Sequence, residues 1–187
     1  MSDADVRIAW ARETIDGLSR TLVGLSLSPE PIDIGARGPA IAVRTGGDYF
    51  VVLFAPVSEG PGTVVLTTGV FRGVDSSRSV DALAAVNAYN RTRGGGRCVV
   101  TLSSSGDLLF SLHDTVGPAI LTHVPQYFQA LLTAFSPLSV RKVLRAHGIN
   151  GERWLWRSGE DLELLLGAVD DQADLLLDLN EIMNPEK

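Results

Sequence analysis

Residues 97–114 read RCVVTLSSSGDLLFSLHD, and this stretch decides the fold. Arg97–Leu102 and Leu108–His113 are short apolar runs with β-branched or aromatic members, separated by Ser103-Ser104-Ser105-Gly106-Asp107. A connection of about five residues that holds a glycine suits a β-hairpin. A parallel crossover needs a dozen residues or more, so the two runs pair antiparallel. Just upstream, Gly94-Gly95-Gly96 ends a helix over about 78–92, with Ser76, Ser77 and Ser79 as candidate N-caps and Asp81 in the first turn. Its apolar face reads as Val80, Leu83, Ala84 and Val86.

Farther toward the N-terminus the β-like runs are Ile32–Ile34, Ala40–Thr45, Asp48–Pro56 and Thr63–Phe71, with Gly46-Gly47 as a two-residue hairpin signal. A helix over 4–25 precedes them, carried by Ile8, Ile15, Leu18, Leu22 and Leu25 on one face and stopped at Ser28-Pro29-Glu30-Pro31. Downstream, Val124, Tyr127, Phe128, Leu131, Leu132 and Phe135 make a helical stripe near 123–135, and a short helix ends at His147-Gly148. The class is α+β: an antiparallel sheet with helices packed on one face, in the order α-β(3–4)-α-β-β-α plus a C-terminal helical extension. Residues 1–150 form the domain, and 151–187 an acidic extension with a helix of about 160–183.

Composition narrows the function. The 187 residues are 45% hydrophobic and 20% charged, a globular balance that can bury a core. Net charge is −6, and it is concentrated: 12 acidic and 13 basic residues lie within 1–150, against 10 acidic and 3 basic in 151–187. Nucleic-acid binding relies on clustered Lys and Arg and is disfavoured. No apolar stretch is long enough for a membrane span, and Asp3 and Asp5 stand where a signal peptide is basic, so a cytoplasmic protein is expected. Cys98 is the single cysteine, which excludes an internal disulfide and multi-cysteine metal sites.

No catalytic constellation stands out, and no cofactor is expected. His113-Asp114 with His123 is the one set that a metal-dependent hydrolase could use, but no HExxH-type spacing joins them. Gly94-Gly95-Gly96-Arg97 follows a helix, whereas phosphate loops follow a strand and open a helix, so it reads as a helix end. Cys98 reads as a buried core residue and Ser103–Asp107 as a turn. Trp154 and Trp156, flanked by Arg153 and Arg157, either anchor the extension on the body or form a partner surface. The extension's apolar stripe, with Leu162, Leu165, Leu166 and Val169, has the same choice of its own body, a second copy or a client, and could serve as a lid.

The element order, the segment Val86-Asn87-Ala88-Tyr89-Asn90, the strand Arg97-Cys98-Val99-Val100-Thr101 and the run Leu108-Leu109-Phe110-Ser111-Leu112-His113-Asp114 together resemble the YbjN family, filed as candidate sensory transduction regulators, and the wider type III secretion chaperone-like fold. The resemblance covers about 10–140 and leaves the Trp-containing extension without a counterpart. It implies a non-enzymatic, homodimeric protein-binding module, chaperone-like or regulatory, that holds a polypeptide segment on an apolar groove or sheet edge. Under it, Asn87 and Asn90 serve structure, capping the helix or bonding nearby backbone.

Overall fold

The computed structural model describes residues 3–33, 39–45, 48–55, 63–92, 96–116, 125–154 and Leu165. Helix α1 spans Asp3–Gly24. It ends in a Schellman cap: the Leu27 N–H donates to Leu22 O at 3.0 Å, the Ser26 N–H to Val23 O at 2.9 Å, and Ser26 takes φ 61°. Strands β1 (Pro29–Asp33), β2 (Pro39–Thr45), β3 (Asp48–Ala55) and β4 (Thr63–Asp75) follow. A short 3-10 turn at Ser76–Arg78 leads into α2 (Ser79–Arg91), the hairpin β5 (Arg97–Leu102) and β6 (Asp107–Val116), α3 (Pro125–Ala134), α4 (Pro137–Ala146) and the two-residue β7 (Glu152–Arg153).

All strand pairings are antiparallel, in the order β1-β2-β3-β4-β6-β5 with β7 also on β4. The expected α+β class holds. β2 and β3 close their hairpin on Thr45↔Asp48, as the glycine pair predicts. β4 and β6 run past their expected ends because they pair with each other through two register shifts, between Gly69 and Phe71 and between Phe71 and Val74. These irregularities twist β4, and beyond the end of β3 it takes β7 as its neighbour instead.

The core lies on one side of this sheet. Ile15, Leu18 and Leu22 of α1, Ala85 and Tyr89 of α2, Phe128 and Phe135 of α3, and Val140 and Leu144 of α4 bury against Ile41, Leu66, Phe71, Phe110 and Leu112. Each fully buried large side chain contributes roughly 1.5–3 kcal/mol. The inward face of α2 differs from the expected one. Ala82, Ala85, Val86 and Tyr89 are buried, whereas Val80, Leu83 and Ala84 point to solvent. The Tyr89 hydroxyl, bonded to Ser139 of α4, is the reason: the large ring with a polar end sets the helix rotation, and small alanines allow close approach to the sheet.

Candidate functional site

The sheet has two edges of different chemistry. β1 carries Pro29 and Pro31, which have no N–H, so this edge lacks donors that a further strand would need. β5 carries no proline. The hairpin register shows which of its groups turn outward. The Ser103 N–H donates to Asp107 O at 2.8 Å, and direction alternates along a strand. Arg97, Val99 and Thr101 therefore bond toward β6, while Cys98, Val100 and Leu102 turn their N–H and C=O away from the sheet.

One of those three residues is already engaged. The Cys98 N–H donates to Asn90 Oδ1 at 2.9 Å, and Asn90 Nδ2 donates to Cys98 O at 3.0 Å. The α2 side chain thereby presents to the edge the donor and acceptor that a neighbouring strand would present. Among the described residues nothing bonds the outward groups of Val100 and Leu102. Val80, Leu83, Asn87 and Asn90 follow one another at spacings of three, four and three, which puts them on one stripe of α2. Val80, Leu83 and Leu102 are 77%, 54% and 61% exposed. An apolar helix stripe and a partly open strand edge thus share one side of the molecule, with exposed Arg91 and Arg97 at its Asn90 end.

The opposite face of the sheet is polar along β6. Ser111 Oγ lies 2.5 Å from His113 Nε2, and Thr67 is the cross-strand partner of His113. All three residues are buried. Among the described residues Thr67 Oγ1, His113 Nδ1 and Trp154 Nε1 have no hydrogen-bond partner. Burial disfavours the imidazolium and pushes the His113 pKa down to about 4. Trp154 packs over Gly69, where a Cβ would clash with the indole ring, and the Trp154 backbone N–H donates to Val70 O at 3.1 Å.

No family model matches the chain, and no curated protein matches it. Among solved structures it is similar to the crystal structure of YbjN from E. coli, described as a candidate transcription regulator. The identity is 12%, the match covers 72% of this chain and 93% of that one, and the TM-score is 0.46. The match does not place the chain in that family.

The proposed hydrolase set does not assemble. His113 pairs with Thr67 on the polar face, while its neighbour Asp114 pairs with the core residue Leu66 on the helix side. Adjacent strand residues project to opposite faces, so these two cannot share an ion. His123 lies outside the described residues. Among the described residues no three His, Cys, Asp or Glu side chains gather as metal ligands. Cys98 is buried, which pushes its thiol up to about 12, so the nucleophilic thiolate is scarce at neutral pH. Gly106 takes φ +86° in the tight turn expected at Ser103–Asp107.

Of the partner-surface residues, Trp154 and Leu165 are buried with Leu109 in a small cluster of their own. Trp156, Leu162, Leu166 and Val169 lie outside the described residues. Among the described residues no helix is long and apolar enough to cross a membrane. The β5 edge itself escaped sequence reading, because a strand's place in the sheet order is not written in the strand. The one available signal was a pair of asparagines ending a helix just before a strand.

Proposed function

We propose that this protein is a non-enzymatic binding module that takes a polypeptide segment in extended form along the β5 edge, in a chaperone-like or regulatory role and as a homodimer. The observation that carries this reading is the contrast between the edges: prolines deny β1 two donors, whereas Val100 and Leu102 keep outward N–H and C=O groups beside exposed Leu83 and Val80. Strand addition at such an edge draws affinity from main-chain bonds and specificity from alternate side chains. The projection of His113 and Asp114 to opposite faces of β6 and the burial of the Cys98 thiol support the non-enzymatic half of the reading.

Peptide display on the full chain tests it. Enriched sequences should alternate apolar and polar residues, and Val100→Pro, which removes an outward donor, should abolish their binding. Equal enrichment on the wild type and on Val100→Pro would remove the β5 edge from consideration. Light scattering checks the dimer against twice the 20.0 kDa chain mass.

A further inference from the structure

We propose that the Asn90 side chain is a displaceable placeholder on the β5 edge: an incoming extended segment takes over its two bonds to Cys98. This rests on the strand-addition reading above and adds a gate to it. A carboxamide is a peptide group without the chain. Bonded to both N–H and C=O of one residue, it reproduces the exchange that a directly opposite strand residue makes in an antiparallel pair.

The placeholder differs from a true neighbour in one respect. It hangs on the exposed last turn of α2, from a single side chain with two rotatable bonds, so it can swing to solvent without moving the backbone. Cys98, by contrast, is fixed by its buried side chain. With Asn90 in place, Val100 and Leu102 are the β5 residues that offer outward groups among the described residues. With it displaced, the open edge runs from Cys98 to Leu102, long enough for a short strand. Exposed Arg91 and Arg97 adjoin Asn90 and Cys98 in sequence at the released end. The occupant this fits is a short extended segment of a partner protein, with alternating apolar residues and a carboxylate at the end that meets these arginines.

The gate would also disfavour edge-to-edge pairing of two copies. The covered bonds shorten the free edge below what a β5–β5 pair between two copies would need, an edge-blunting role of the kind charged and proline residues play elsewhere.

The test uses full-length protein and a fluorescein-labelled synthetic peptide of alternating valine and threonine with an aspartate at each end, read by fluorescence anisotropy. The wild type binds, Asn90→Ala binds about tenfold tighter because no bonds need displacing, and Val100→Pro binds in neither background. Asn90→Ser, too short to reach both Cys98 groups, gives the same gain and stands in if the alanine variant folds poorly. On the wild type, the Asn90 side-chain amide resonances should move to free-amide positions as peptide saturates. Resonances that stay put, or an Asn90→Ala affinity equal to or weaker than wild type, overturn the placeholder while leaving strand addition standing. No binding by wild type, Asn90→Ala or Asn90→Ser overturns strand addition itself. Failure to bind peptide combined with a tighter dimer of Asn90→Ala by sedimentation makes the occupant a second copy, and overturns the partner segment.

Discussion

His113 shows how one buried residue couples the fold to pH. In the folded chain its pKa is down to about 4 from the ordinary 6.5, and the cause is loss of hydration of the charged ring. Between these values the unfolded chain binds a proton that the folded chain refuses, so stability is full above about 6.5 and falls as pH drops toward 4. The loss should reach roughly 3 kcal/mol at the bottom of that window. Urea midpoints measured across the window should fall accordingly, and His113→Gln should flatten the profile; an unchanged slope in that variant would assign the acid sensitivity to other groups. Gly69 acts by size alone. The Trp154 indole occupies the space of its missing side chain, so Gly69→Ala should cost about 1–3 kcal/mol and lift the indole from the sheet, readable as a red shift in tryptophan emission.

At the scale of elements, α2 has two working faces. Ala82, Ala85, Val86 and Tyr89 hold it to the core, and Val80, Leu83, Asn87 and Asn90 face out along the β5 side. Leu83→Ser should therefore change the unfolding midpoint by less than about 0.5 kcal/mol while weakening peptide binding severalfold. Tyr89→Ala should do the reverse in kind, costing about 3–5 kcal/mol through the lost ring. A large stability loss from Leu83→Ser would show that its face is part of the core after all. β4 is the other two-sided element. Its irregular middle lets one strand pair with β3 early and with β7 late, while β6 runs along its other side. Gly73, at φ +70°, sits within the second irregularity, where a Cβ would strain the backbone.

For the whole molecule the asymmetry of the sheet matters most. One face carries the main core under four helices, and the other carries a buried polar row with Leu109, Trp154 and Leu165 as a satellite cluster. Among the described residues, buried polar atoms on Thr67, His113 and Trp154 without a partner burden that second face, since each such atom costs on the order of 1–3 kcal/mol. The edges are asymmetric too. Among the described residues, prolines guard β1 and a single side-chain amide covers part of β5.

Sequence alone determined the elements that local physics controls. Glycine-marked hairpins at 46–47 and 103–107 fixed antiparallel pairing, and the helical stripes of α1 and α3 named the residues that bury, such as Leu18, Leu22, Phe128 and Leu132. Tertiary structure decided what depends on neighbours far along the chain. The insertion of β6 between β4 and β5 made β5 an edge, a place set by pairing far along the chain. The rotation of α2 followed Tyr89 and the alanines, because a broad apolar helix surface has more than one face that periodicity could choose. Alternation across β6 separated His113 from Asp114, and two neighbours in sequence became residents of opposite faces. The Asn90 clip needed all of these at once: a helix of the right rotation, ending beside a strand that the sheet order leaves at its edge.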